Sequence, residues 1–218
     1  MLSRLLGFAR DIILAHLFGA GEMADAFFVA FRIPNLFRRL FGEGAFSQSF
    51  VPVLGEYRTQ RTTEEAQAFV ADISGWLALT LAVVTLIGIL AASAVVYAIA
   101  PGFAANPGKF QLTVELLRIT FPYLFLISLV ALAGGVLNTH GHFTVPAFTP
   151  VFLNLSIIAT ALFWAPHLAQ PVIAVAWGVL IGGVVQLLFQ FPSLKKLGYL
   201  RWPRLRRRDP GVDKVLSL

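Results

Sequence analysis

The sequence predicts an all-α polytopic membrane protein, on three observations. Of 218 residues, 57% are hydrophobic and 13% charged, against roughly 25% charged in a soluble globular chain, so about half the usual solvating side chains are missing. Charge is also confined: no Asp, Glu, Lys or Arg lies between Asp72 and Lys109, or between Arg118 and Lys195, whereas a bilayer-spanning helix needs only about 20 predominantly apolar residues. Third, the apolar runs are continuous and rich in Ala, Leu and Val, as from Trp76 to Ala100, while a closed β-barrel requires alternating segments of about ten residues. An ordinary soluble enzyme is excluded. The chain has no cysteine, which removes disulfides, thiolate metal sites and a cysteine nucleophile.

Turn signals and hydropathy divide residues 1–194 into a lobe of six helical spans, near 2–18, 24–54, 70–100, 112–138, 143–165 and 171–192. The first ends at Gly19-Ala20-Gly21; its Arg4, Arg10 and Asp11 interrupt what would be the apolar region of a secretory leader. The second contains Pro34, which removes a backbone donor and disfavours helix at Ile33, followed by Gly42 and Gly44, so it is expected to be bent or broken near its middle. The third closes at Pro101-Gly102. The fourth follows Asn106-Pro107-Gly108 and ends at Thr139-His140-Gly141; its Glu115 and Arg118, three residues apart, are expected to pair locally. Pro166 ends the fifth. In the sixth, Ala174, Gly178, Gly182, Gln186 and Gln190 recur at a spacing of four, which marks a close helix-packing face with Gly178 and Gly182 as its contact. Residues 195–218 carry the whole net charge of +6 and read as a basic linker or the start of a further helix, ending without a cap.

Orientation follows from the positive-inside rule. The second connection holds Arg58 and Arg61 and the sixth holds the basic tail, while the first and fifth hold no Lys or Arg and the third only Lys109. Even-numbered connections, the N-terminus and the tail are therefore expected on the cytoplasmic side. A basic block beside a membrane span is a topology signal and an anchor for anionic lipid, and no nucleic-acid partner is expected.

The first two spans hold charges along their length, where the others hold them only near their starts or not at all: Arg4, Arg10, Asp11, Asp25, Arg32, Arg38, Arg39 and Glu43. Each central charge would cost about 2.5–3.5 kcal/mol facing lipid, so these side chains must face protein, water or the interface. On a helix Asp25, Phe28, Arg32 and Arg39 share a stripe, with Asp25 and Arg32 within reach of each other. Broken backbone at membrane depth is tolerated where it lines an aqueous cavity, and guanidinium matches carboxylates and phosphates bidentately. An arginine-lined cavity would take an anion. Two readings stay open for Arg38, Arg39 and Glu43, an anion site or side chains that snorkel and pair near the interface; for Arg10 and Asp25 the functional reading is preferred. Asn138 and Asn154 either line a cavity or bond across helices. His140 and His142 lack the further ligands of a metal site. No Walker loop, G-x-S-x-G, H-E-x-x-H or aspartate cluster is present, so a transporter without metal or cofactor is expected, and not an enzyme.

The stretch Ser3-Arg4-Leu5-Leu6-Gly7-Phe8-Ala9-Arg10-Asp11, with Phe18-Gly19-Ala20-Gly21, Asp25 through Phe41, Glu43-Gly44-Ala45-Phe46-Ser47 and Phe50-Val51-Pro52, closely resembles the N-terminal signature of the MurJ (MviN) family. Ala100-Pro101-Gly102-Phe103, Ile119-Thr120-Phe121-Pro122-Tyr123 and Val145 through Pro150 extend the resemblance over nearly the whole chain. It implies half of a two-lobed alternating-access transporter of the multidrug/oligosaccharidyl-lipid/polysaccharide exporter superfamily, in the bacterial inner membrane. The implied activity is flipping of lipid II, the undecaprenyl-pyrophosphate-linked disaccharide pentapeptide of peptidoglycan synthesis. The implied partners are lipid II, membrane lipids and a C-terminal lobe. By motif position the implied substrate residues are Arg4, Arg10 and Arg38 with Asp25, and Arg32, Arg39 and Glu43 are secondary candidates. A further arginine that the family places in its second lobe has no counterpart here. The alternatives are an exporter of another lipid-linked oligosaccharide or a drug, or an inactive N-terminal fragment.

Overall fold

A computed structural model describes residues 2–19, 21–38, 45–206 and 210–216; these are helical with short connections and contain no strand. The α-helices, in chain order, are α1 (Leu2–Phe18), α2 (Glu22–Arg38), α3 (Ala45–Gln60), α4 (Thr63–Leu90), α5 (Ala92–Ile99), α6 (Pro107–Thr120), α7 (Tyr123–Thr139), α8 (Thr144–Ala159), α9 (Pro171–Lys196) and α10 (Pro210–Leu216). Among the described residues, four stretches are long and apolar enough to cross a membrane: Thr63–Leu90, Pro107–Thr139, Thr144–His167 and Pro171–Lys196. α4, α8 and α9 turn large apolar side chains outward, among them Leu86, Ile87, Leu90, Leu155, Ile181 and Leu188. Such faces suit hydrocarbon and not water.

Local chemistry sets the boundaries. α4 starts at Thr63 because Thr62 and Glu65 form a reciprocal capping box. α6 starts at Pro107 because Asn106 caps it, accepting from the Lys109 amide at 3.1 Å. Phe121 and Pro122 interrupt α6 and α7, giving one bent span. The Phe121 ring lies over Gly88 of α4, where any side chain would collide with it. The expected local pair of Glu115 with Arg118 does not form; both side chains are exposed, and no ion pair among the described residues joins them.

The second span departs from expectation at Ile33 and Pro34, while its middle, where the bend or break is expected, lies outside the described residues. Helix continues unbroken through Ile33 and Pro34 to Arg38. Pro34 leaves the Ala30 carbonyl without its helical donor, and the buried Thr120 hydroxyl of α6 stands 3.3 Å from that oxygen. The same remedy recurs in α8, where Pro150 orphans the Pro146 carbonyl and Thr149 donates to it at 2.7 Å. The span resumes as α3, and residues 39–44, with Gly42 and Gly44, lie outside the described residues.

α9 runs through the core, packed on α8, α7 and α6. Its Gly178 and Gly182 abut Thr160, Ile157 and Leu153, with no room for a side chain, and Ser156 donates to the Gly178 carbonyl at 2.8 Å. α2 lies on α6 and α7 through Phe27, Phe31 and Tyr123, with ring centroids 5.7 and 6.2 Å apart. After α9, Gly198 at φ 77° closes a Schellman turn, its amide on the Lys195 carbonyl and that of Tyr199 on Leu194. The chain then lies along α4: the Arg204 amide donates to Ala71, and Arg204 backbone fills the space at Gly75. α10 buries Val212 and Val215 beside α3 and α4. Arg58, Arg61, His140 and Tyr199 border one pocket, so the second, fourth and sixth connections share an end of the bundle. Lys109 and Asp25 meet at the far end of the bent α6–α7 span.

Candidate functional site: an arginine groove between α1 and α2

α1 is seated on α8 by one buried amide. Asn154, 7% exposed, donates to the Ser3 carbonyl at 3.1 Å and accepts from Arg10 Nη1 at 3.0 Å. Asp11 completes the hold, its Oδ1 accepting from Arg10 Nε at 3.0 Å and from Nη2 at 2.7 Å. Of the five N–H donors of a guanidinium, one on each terminal nitrogen therefore remains for a ligand. Asp11 also offsets part of the charge, so Arg10 acts as an oriented donor pair more than as a bare cation.

That guanidinium borders a groove of about 560 Å³ lined by Arg10, Phe28, Phe31, Arg32, Asn35, Leu36 and Leu153. Arg32 reaches it from α2, exposed and without an ion-pair partner among the described residues. Phe28, Arg32, Asn35 and Leu36 recur at three and four residues, so α2 presents one stripe to the groove. Asn35 is fixed by donating to the Phe31 carbonyl at 3.1 Å. Apolar walls lower the local dielectric and strengthen whatever the guanidinium groups hold. Asn35 and Leu153 also line an adjoining groove of about 590 Å³, which reaches Asn138, Thr149 and Gln186. A third cleft, of about 480 Å³ beneath the tail, is almost wholly apolar, and its one guanidinium, Arg201, is bonded to Gln67; it suits an anion less well.

The structure thus brings together Arg10 and Arg32, the second of which the sequence ranked below Arg4 and Arg38. Arg4 is exposed, about 120° around α1 from Arg10, and does not line the groove. Arg38 is the last residue of α2; its side chain, Arg39 and Glu43 lie outside the described residues. Asp25 is paired not with Arg32 but with Lys109, whose Nζ stands 2.6 Å from Asp25 Oδ2 and 4.1 Å from the centre of the Phe103 ring. Beside it Asn106 donates to Glu22 at 2.6 Å. Sequence reading missed Lys109 as a partner, although it is the only charge between Asp72 and Glu115. It also left Asn154 undecided, because that side chain meets Arg10 across 144 positions.

The family model described as lipid II flippase MurJ matches residues 14–218. The chain belongs to the MurJ lipid II flippase family. Similar relatives are a lipid II flippase MurJ of Burkholderia cenocepacia, 50% identical over all of this chain and 43% of its own length, and a probable lipid II flippase MurJ of Vibrio cholerae, 48% identical over all of this chain and 43% of its own length. The fold is similar to a solved lipid II flippase MurJ in an inward closed conformation, with a TM-score of 0.76 and 28% identity over 99% of this chain and 44% of that one. The chain therefore spans less than half the length of the MurJ proteins it matches. It is an all-α, multi-pass membrane chain with the architecture of the first half of a MurJ transporter.

Proposed function

We propose that this chain is the N-terminal six-span lobe, residues 1–194 with a basic linker after it, of a lipid II flippase in the bacterial inner membrane. Lipid II joins a polyprenyl chain to a large sugar-peptide headgroup through a diphosphate, and the headgroup cannot cross hydrocarbon unaided. The observation that carries the reading is the groove shared by Arg10 and Arg32, with Arg10 already oriented by Asp11 and Asn154. Two guanidinium groups on facing helices match a diphosphate. Arg4 and Arg38, with Arg39 and Glu43 as secondary candidates, complete the anion site when a second lobe closes the cavity. The polyprenyl tail stays in lipid, and rocking of the two lobes carries the headgroup outward. Asp25 holds α2 to α6 through Lys109 and so governs how α2 moves. The N-terminus and the basic tail face the cytoplasm, supported by Arg58, Arg61, His140 and the tail sharing one end.

The test is complementation in a bacterial host depleted of its own lipid II flippase, using the full-length gene product. Wild type is expected to restore growth, and Arg10→Ala and Arg32→Ala to fail at matched membrane abundance. Full rescue by both variants would remove the anion site.

A further inference from the structure

Gln186 and Gln190 on α9 are 1% and 0% exposed, and a buried amide is costly unless both its ends are satisfied. The N–H ends are engaged: Gln186 Nε2 donates to the Thr149 carbonyl at 2.8 Å and Gln190 Nε2 to the Val130 carbonyl at 3.1 Å. Those carbonyls accept only, so they fix which end of each amide faces them. The oxygens are thereby turned away, and neither Gln186 Oε1 nor Gln190 Oε1 has a hydrogen-bond partner among the described residues. Four residues apart, the two glutamines lie one turn from each other on one face of α9. That face backs the groove adjoining the arginines: Gln186 lines it, and Gln190 Oε1 is 3.8 Å from where a Cβ on Gly134, another lining residue, would stand.

The chemistry of the groove narrows what it can take. Its walls are largely apolar, including Tyr123, Ile127, Val130 and Pro150, and no Asp, Glu, Lys or Arg lines it. Hard cations seek six or more oxygen ligands, usually with carboxylates among them, and an anion is repelled by amide oxygens. A neutral group that brings its own O–H or N–H and offers apolar faces fits both features, and the faces and hydroxyls of a sugar ring have that character. The groove is continuous with the arginine groove at Asn35 and Leu153, and in a sugar diphosphate the sugar is bonded directly to the phosphate.

We propose that this groove is the subsite for the neutral sugar part of the headgroup, with the carbonyl oxygens of Gln186 and Gln190 accepting hydrogen bonds from its hydroxyl or acetamido N–H. This rests on the flippase reading of the arginine groove. Both oxygens are buried, and that of Gln190 lies behind the seam of α7 and α8 at Gly134 and Pro146, so engagement requires that seam to part. The experiment measures binding of lipid II and of undecaprenyl diphosphate, which lacks the sugars, to the full-length protein in detergent. The variants are Gln186→Leu with Gln190→Leu and, separately, Gly134→Ala, which narrows the seam at ordinary contact distances and keeps both amides. Each is expected to weaken lipid II binding on the order of tenfold, the loss of about two neutral hydrogen bonds, while undecaprenyl diphosphate binding stays within about twofold. Equal weakening of both ligands, or no change in either, would overturn the subsite and leave the arginine site standing. Failure of wild type to bind either ligand would overturn the flippase reading and the subsite with it.

Discussion

Arg10 engages three N–H groups inside the protein and presents the rest to the groove, which makes Arg10→Lys a sharper probe than removal. An ammonium keeps the charge but cannot hold Asp11 and Asn154 while offering a planar pair. Arg10→Lys is expected to fail in complementation nearly as fully as Arg10→Ala. Growth at wild-type rate would mean that charge alone suffices. Arg10 was legible in the sequence because a charge in an apolar span has few innocent explanations. Asn154 was not, because an uncharged amide has many. His140 makes a prediction of a different kind. It caps α7, its ring edge packs on Tyr199 with centroids 4.7 Å apart, and its Nδ1 lies 2.8 Å from the Val136 carbonyl. Burial pushes its pKa below the usual imidazole value of 6.5, and the Arg58 and His142 charges act the same way against the Val136 bond. The folded state then binds fewer protons than the unfolded one, so stability is full above about pH 6.5 and falls as pH drops from there through the folded value. Thermal unfolding of His140→Phe is expected to lose that part of the acid dependence. An unchanged slope would assign it elsewhere.

At the scale of the element, Pro34 and Thr120 show where sequence reading had to stop. A proline in mid-helix orphans a carbonyl, and the local expectation is a break. What averts it is a hydroxyl 86 positions downstream in numbering, on a helix whose contact with α2 no periodicity reveals. Thr120 also lies 2.9 Å from the Leu116 carbonyl and 3.4 Å from the Leu117 carbonyl of its own helix, so its single proton is shared among three acceptors. Thr120→Val keeps the shape and removes the donor, leaving the buried Ala30 oxygen unpaired at a cost of about 1–3 kcal/mol. Pro34→Ala restores the backbone donor to that oxygen. In a double-mutant cycle read by thermal unfolding, Thr120→Val is expected to destabilise the wild-type background and to cost clearly less beside Pro34→Ala. Additive costs would show that the hydroxyl does not serve Ala30. The α9 stripe, by contrast, was legible from spacing alone. Gly178 and Gly182 recur on one face at intervals that only close helix packing explains, and α8 fills the space their missing side chains leave.

Across the whole molecule, the membrane class and the helical architecture could be read from where charge is absent, because a bilayer penalises unpaired charge and backbone far more than water does. The arrangement of helices about one another could not, since packing between apolar faces is set by shape. Asp25 lies between these cases. Its cost in an apolar span marked it as important, and the stripe it shares with Arg32 suggested the wrong partner, because a same-helix neighbour is visible in a sequence and Lys109 on α6 is not. The Asp25–Lys109 pair ties α2 to α6, with the lysine side chain 16% exposed and the carboxylate 62% exposed. Exposed pairs are worth roughly 0–1 kcal/mol, so its removal should leave the helices folded and, on the proposed flippase mechanism, alter instead how α2 is held. Asp25→Lys places two cations together and is expected to impair complementation. Adding Lys109→Asp recreates the pair with its polarity reversed and is expected to restore much of the growth. If the exchange fails to rescue while each protein reaches the membrane normally, Asp25 acts through its charge toward the cavity arginines and not through the tie to α6, and the two helices move independently of it.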